Sequence, residues 1–265
     1  MKLKTAIICG STGKLGQFIS RNLLNDDYHV VALNKSKNIL KDNNYFEYIC
    51  DFNNLKKLEI TVNKIKKRFK NIKLLINTVA IEGDTINNKN FDIRSWKKSF
   101  NVNFLSSVVI TKCMLKNLNK KKLSVIFFSG GGATTQPEGL TARLLEYSCS
   151  KIALIRFTDI LGTKLYSNSR VNFNILSPGL LPGNIIRNIL KKYSKYISFK
   201  EKKLFTKLKK PYLFFDQYLK IYKIICFLEK NKKVTGKIIS TNYDNISLKN
   251  KKLYDKNKYK LRRLL

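Results

Sequence analysis

Tyr147 and Lys151 stand four positions apart in the run Glu146-Tyr147-Ser148-Cys149-Ser150-Lys151. On a helix that spacing brings both side chains to one face. A phenol in water titrates near ~10 and exchanges protons poorly at neutral pH. A neighbouring ammonium favours the phenolate, so the pair reads as an acid–base tyrosine tuned by a lysine. Far upstream, Gly10-Ser11-Thr12-Gly13-Lys14-Leu15-Gly16 follows a short apolar run. Glycines so spaced allow a tight turn and close backbone approach to a pyrophosphate. The helix that follows adds free N–H groups and a positive dipole end. A dinucleotide beside a proton-exchanging tyrosine is the equipment that reversible carbonyl reduction requires.

Those residues need a frame. Apolar runs of strand length recur at residues 5–9, 29–33, 46–50, 73–77, 124–129, 172–176 and 237–240. Helix-length stretches lie between them at 14–24, 55–69, 93–117, 144–165 and 214–229. The alternation predicts an α/β protein: a seven-stranded parallel sheet flanked by helices on both faces. Ligands in such sheets bind beyond the carboxyl ends of the strands, where Gly10, Asn34, Asp51, Asn77, Ser129 and Pro178 fall. Residues 183–216 break the rhythm, being basic and aromatic without a strand, and are expected to form a helical lid over the substrate. Residues 249–265 read as a basic C-terminal tail.

With 265 residues, four prolines and no Ser/Gly/Pro-rich linker, residues 1–265 read as one domain around one large core. The net charge of +36 raises a nucleic-acid or anionic-surface reading. Only nine of the 53 basic residues are arginine, however, and the lysines are spread along the chain among many asparagines and isoleucines. That pattern reads as compositional drift on solvated faces, so no nucleic-acid partner is expected. The five cysteines are scattered without a C-x-x-C pair, which fits reduced thiols, a cytoplasmic location and no zinc site. His29 is the single histidine, which argues against a Ser-His-Asp triad or a histidine metal cluster. The apolar core of the N-terminal run is shorter than the ~7–15 residues of a signal sequence. No stretch approaches the ~18 apolar residues of a membrane span.

Cofactor choice is read at the end of the second strand. An acid about 20 residues beyond the glycine turn would hold an adenosine ribose hydroxyl. Here the strand runs into Ala32-Leu33-Asn34-Lys35-Ser36 without one. Lys35 and Ser36, with Lys14 nearby, suit a 2′-phosphate, which points to NADPH in preference to NADH.

Taken in order along the chain, these motifs resemble the short-chain dehydrogenase/reductase family. Cys9 to Gly16 resembles its cofactor loop, with Gly13 placed as in the extended, sugar-nucleotide branch. Cys50-Asp51-Phe52 resembles the adenine-contacting turn, and Asn77-Thr78-Val79-Ala80 the Asn-Asn-Ala-Gly motif. The stretch from Trp96 to Val102-Asn103-Phe104 resembles the helix whose asparagine supports a proton relay. Ser177-Pro178-Gly179 resembles the turn beside the nicotinamide. The resemblance implies a Rossmann fold and a small carbonyl or alcohol substrate, and a homodimer or homotetramer. It implies Tyr147, Lys151, Asn103 and Ser129 as catalytic residues. As cofactor contacts it implies Gly10, Ser11, Thr12, Gly13, Leu15 and Gly16 in the loop, Asn34, Lys35, Ser36, Asp51 and Phe52 at the adenosine end, and Asn77, Val79, Ala80, Tyr147, Lys151, Pro178 and Gly179 at the nicotinamide end.

The chain departs from the family at its serine. The usual Ser-Ser pair reads Ser129-Gly130, in a Ser-Gly-Gly-Gly-Ala turn that resembles a bacterial subset of the family. Ser129 or Thr134, which lies 13 residues before Tyr147, is left to orient the substrate oxygen, and where neither does, the backbone N–H groups of Gly130–Gly132 are the remaining donors. The altered serine leaves open a catalytically weak NADP(H)-binding sensor or scaffold. The Gly13 pattern leaves open a sugar-nucleotide-modifying enzyme, and charge alone a nucleic-acid-binding protein.

Overall fold

In the computed structural model the apolar runs pair into one seven-stranded sheet of order β3-β2-β1-β4-β5-β6-β7. The strands are β1 (Lys4–Cys9), β2 (Tyr28–Asn34), β3 (Tyr45–Ile49), β4 (Ile72–Asn77), β5 (Leu123–Phe128), β6 (Val171–Ser177) and β7 (Lys237–Ser240). Every pairing is parallel. The structure describes residues 3–84, 92–116, 122–130, 133, 144–166, 170–193, 198, 203, 206–208, 210–242 and 244. Thr134, residues 194–197, 199–202, 204–205 and 209 of the expected lid, and the 249–265 tail lie outside them.

The strands are apolar nearly throughout because both faces of the sheet are covered. Alternate residues of β1 show the division. Ile7 and Cys9 face a core built with Leu58, Val62 and Ile65 of α2 (Leu55–Arg68). Ala6 and Ile8 face a second core with Ile19 and Leu23 of α1 (Lys14–Asn25). The first core is completed by α4 (Ser106–Leu115) and α5 (Leu145–Ile160), and the second by α7 (Phe215–Lys230). Helix α2 begins at Asn54, whose side chain accepts from the Lys57 N–H, and ends in Lys66, Lys67 and Arg68, where a helix C-terminus favours cations.

Two helices that the sequence predicts as single elements are each interrupted. The 93–117 stretch forms α3 (Ile93–Phe100), a π-helical turn over Asn101–Leu105, and α4. The 144–165 stretch forms α5 followed by a π-helical turn over Leu161–Leu165. Such insertions are invisible to an apolar periodicity, and they often mark functional positions. Within the 183–216 region lies α6 (Asn184–Tyr193), and a short 3-10 turn over Pro211–Phe214 leads into α7. No helix among the described residues is long and apolar enough to cross a membrane. Of the described lysines only Lys151 and Lys237 are buried.

The far edge of the sheet is held by buried amides on β6. Asn172 donates to the carbonyls of Leu228 and Val234 at 2.8 and 3.1 Å. Asn174 donates to Val234 O at 2.8 Å and accepts the Lys237 N–H at 3.1 Å. These bonds fix the turn between α7 and β7. Asn174→Ala should take the Oδ1 acceptor from the Lys237 N–H and leave Val234 O to Asn172 alone, lowering unfolding free energy by about 1–3 kcal/mol, read as a lower urea midpoint with an unchanged slope. A loss below about 0.5 kcal/mol would show that the amide is replaceable.

Candidate active site

The strand order reverses between β2-β1 and β4, and the glycine turn sits in that crevice at the carboxyl end of β1. Gly10 has a φ of +86°, and a Cβ there would press on Thr78 and Val79. A Cβ on Gly16 would overlap the carbonyl of Gly10, so α1 can lie against the turn only as glycine. Gly13 starts α1 without a side-chain cap, and the first turn contains no acid. The first N–H groups of α1 therefore have no side chain competing for them, and the cradle fits a dinucleotide pyrophosphate. Leu15 packs against the core beneath, and Thr12 is half-buried in the turn.

At the carboxyl end of β2 the structure assembles a network that the sequence did not show. Ser11 is fully buried and donates to Asn34 Oδ1 at 3.1 Å. The Asn34 amide in turn donates to Glu47 Oε1 at 2.7 Å. Glu47 also accepts the Asn38 N–H at 2.9 Å, and the Asn38 side chain donates to the Ser11 carbonyl at 3.0 Å and to Tyr45 Oη at 3.1 Å. A carboxylate missing from the end of β2 is thus present one strand over, but it is already occupied. Lys35 and Ser36 are exposed at the rim, and Lys35 Nζ lies 3.7 Å from Asp51 Oδ2. Phe52 is core, and Asp51 closes its own turn by accepting the Asn53 N–H.

On the other side of the crevice, Asn77 ends β4 with its side chain donating to Ser107 Oγ and accepting the Val79 N–H. The following segment, Val79 to Ile81, is partly buried, and Ala80 packs against Tyr147. Asn103, in the first π-helical turn, accepts the Ile81 N–H at 2.8 Å and donates to Ile81 O at 2.9 Å and to Ser150 Oγ at 3.0 Å. Gly179 follows Pro178 at a φ of +71°, and Gln217 of α7 donates to the Pro178 carbonyl.

Tyr147 and Lys151 project from α5 to the same place, as their spacing predicts. Lys151 Nζ donates to Phe128 O at 2.9 Å and lies 5.6 Å from the centre of the Tyr147 ring. Both side chains are buried. Burial pushes the Tyr147 phenol up to about 12 and the Lys151 ammonium down to about 8. The lowering of Tyr147 that the spacing suggests is therefore not what this packing produces. The ammonium is directed to a carbonyl and to the ring rather than to the hydroxyl, so desolvation wins. The phenol rests on the backbone of Gly130, where a Cβ would overlap its hydroxyl. Ser129 is buried at the end of β5, with Oγ 3.5 Å from the Gly130 carbonyl.

Glu146 is a buried site neighbour that sequence reasoning passed over. Its Oε2 accepts from Ser95 Oγ at 2.9 Å and Ser99 Oγ at 2.8 Å, pinning the first turn of α5 to α3. The signal was an acid directly before the tyrosine at a helix start, a position that a charge tally treats as solvated.

The sequence matches the short chain dehydrogenase family over residues 4–194. The chain belongs to the short-chain dehydrogenase/reductase family of oxidoreductases, which use NAD(P). It is 28% identical over 250 residues to 3-oxoacyl-[acyl-carrier-protein] reductase FabG of Buchnera aphidicola, covering 90% of this chain and 96% of that one. It is 23% identical to rat dehydrogenase/reductase SDR family member 4, over 78% of this chain and 76% of the relative. Among solved structures the fold is shared with ligand-free aldohexose dehydrogenase of Thermoplasma acidophilum, at TM-score 0.73 and 17% identity over 92% and 96% of the two chains. It is shared equally with a variant of actinorhodin polyketide ketoreductase solved with NADPH, at TM-score 0.73 and 17% identity over 90% and 95%.

The buried lysine sets a pH dependence. Its folded value of about 8 lies below the ordinary 10.5, so between those pH values the unfolded chain binds more protons. Stability from this group therefore rises with pH across that window and is least favourable below it. Lys151→Met should melt at a higher temperature than wild type at pH 7, and that advantage should shrink as pH approaches 10. An advantage that does not change between pH 7 and 10 would contradict the burial argument.

Proposed function

We propose that this chain is an NADP(H)-preferring oxidoreductase that interconverts a carbonyl and a secondary alcohol. The observation that carries the reading is the buried Tyr147–Lys151 pair beside the glycine cradle, at the carboxyl edge of the sheet. Gly10, Gly13, Gly16 and the first N–H groups of α1 would hold the pyrophosphate. Asn77, Val79, Ala80, Pro178 and Gly179 would line the nicotinamide end. The bound cofactor supplies the hydride in reduction and accepts it in oxidation.

The chain's own residues manage the proton and the charge. With its phenol at about 12, Tyr147 is protonated at neutral pH and is a donor to a carbonyl oxygen that is gaining negative charge. The Lys151 ammonium stabilises the phenolate left behind, so the lysine acts when charge develops rather than in the resting state. An ammonium has three donors and Phe128 O takes one, which leaves Lys151 able to bind a ribose hydroxyl as well. Asn103 holds the Ile81 backbone and Ser150, and so positions the wall facing Tyr147. Ser129 is the hydroxyl nearest the end of β5 available to orient the substrate oxygen, and Thr134 is the alternative.

One observation favours a second reading. Gly130 stands in place of the family's serine, and the phenol occupies the space its side chain would need. A weakly catalytic NADP(H)-binding sensor would tolerate that loss.

Tyr147→Phe separates the two readings. As an enzyme the chain should lose about 10²-fold or more in turnover while keeping its NADPH affinity. The assay panel starts from a 3-oxoacyl thioester, the substrate class named for the Buchnera relative. A Tyr147→Phe protein as active as wild type would remove the mechanism.

The preference for NADPH is supported by the exposed Lys35 and Ser36 and by Glu47 being engaged by Asn34 and Asn38, while the carboxylate that does lie beside Lys35, Asp51, is held with it in an exposed ion pair. NADPH should bind more tightly than NADH in a fluorescence titration. Lys35→Glu should weaken NADPH by about tenfold, the scale of one charge-assisted contact, and leave NADH almost unchanged. Equal affinities in the wild type would remove the preference.

A further inference from the structure

The roof over the candidate acid–base residue is aliphatic. Ile189 of α6 is 0% exposed and packs with Leu144 on Tyr147, and Ala80, Ile185 and Ile186 close the same cluster. Ile186 also joins a second apolar cluster with Leu180, Leu190, Leu208 and Phe214, so the two clusters adjoin through it. The polar and charged residues of α6 face the other way: Asn184, Arg187, Asn188 and Lys191 are all exposed. The carboxylate of Glu146, next to Tyr147 in the chain, is turned aside to Ser95 and Ser99. Among the described side chains of α6, at 184–191, every polar one is exposed and none joins the cluster around Tyr147.

This arrangement bears on what can approach. Provided that Tyr147 is the acid–base group proposed above, the substrate oxygen must reach its hydroxyl, and the atoms beside the reacting carbon must then lie against this roof. A polyol there would bury hydroxyls without partners, which is penalised. An alkyl chain would exchange contacts with the isoleucines for contacts of the same kind and leave water in doing so. We infer that the substrate is a carbonyl compound carrying an aliphatic chain, an alkyl ketone or acyl derivative rather than a sugar or sugar nucleotide, with its chain running under α6 toward Leu190, Leu208 and Phe214. The fold shared with an aldohexose dehydrogenase does not carry its substrate across, because the roof is built from these particular side chains.

The test uses the full chain saturated with NADPH. It is titrated calorimetrically with 2-butanone, 2-hexanone, 2-octanone and 2-decanone, and with D-glucose and D-fructose as polyol carbonyls. The dissociation constant should fall about two- to fourfold for each added methylene, and the sugars should bind more weakly than any ketone beyond the shortest. Ile189→Asn should weaken 2-decanone about tenfold more than 2-butanone. Ile186→Asn, at a half-buried position, makes the same comparison should the Ile189 variant fail to fold. Arg187→Ala, on the exposed side of α6, should leave the series unchanged. An affinity independent of chain length, no ketone binding, or tighter binding of a sugar would overturn the inference. NADPH binding with Tyr147-dependent turnover of a sugar would do so while leaving the oxidoreductase reading intact, whereas failure to bind NADPH would remove that reading itself.

Discussion

A lysine ammonium buried beside a buried phenol is the constraint around which the rest of this structure is arranged. Removing a cation from water is costly unless something replaces the water, and here the Phe128 carbonyl at the end of β5 does so. That bond ties α5 to the carboxyl edge of the sheet, so the site's geometry and its electrostatics depend on the same contact. Neither group sits at its ordinary pKa, and burial is the cause for both. In the reaction proposed above, such a site would respond when charge develops on a substrate oxygen, because the ammonium gains most when an anion forms next to it in a medium of low dielectric.

Keeping that pair in place takes supports from two directions. Asn103 grips the Ile81 backbone through both its amide donor and its carbonyl, and reaches Ser150 on α5. Its position is set by a π-helical turn, which rotates the asparagine relative to the helices on either side. Glu146 provides the second support, bonding two serine hydroxyls of α3. Both amide and carboxylate are engaged by these bonds, which contributes rigidity, the property on which a positioned proton transfer depends.

At the opposite end of the crevice the network through Ser11, Asn34, Asn38, Tyr45 and Glu47 joins the glycine turn to β2 and β3. It satisfies the half-buried Glu47 carboxylate with amide donors and leaves the rim to Lys35 and Ser36. Lys35 is paired with Asp51 in an exposed ion pair of small energetic weight.

The sequence by itself determined the sheet, its strands and the class of chemistry. Buried parallel strands are continuous apolar runs, so all seven were legible, including β7 at 237–240. The Gly10–Gly16 turn and the Tyr147–Lys151 spacing are local signals, set by a few neighbouring residues, and they survive without knowledge of the fold. Tertiary structure decided everything that depends on residues distant in the chain. The sequence shows no acid after β2, yet Glu47 reaches that place from β3 because the two strands pair Ala32 with Glu47. It shows a lysine poised to lower a phenol, yet burial reverses the shift of Tyr147, since desolvation is a property of the packed interior and not of spacing. It shows Ser129-Gly130 as a broken serine pair, and only packing reveals that the Tyr147 phenol rests on the glycine. The π-helical turns and the isoleucine roof belong to the same category: each is a relation between elements, fixed by how they close over one another.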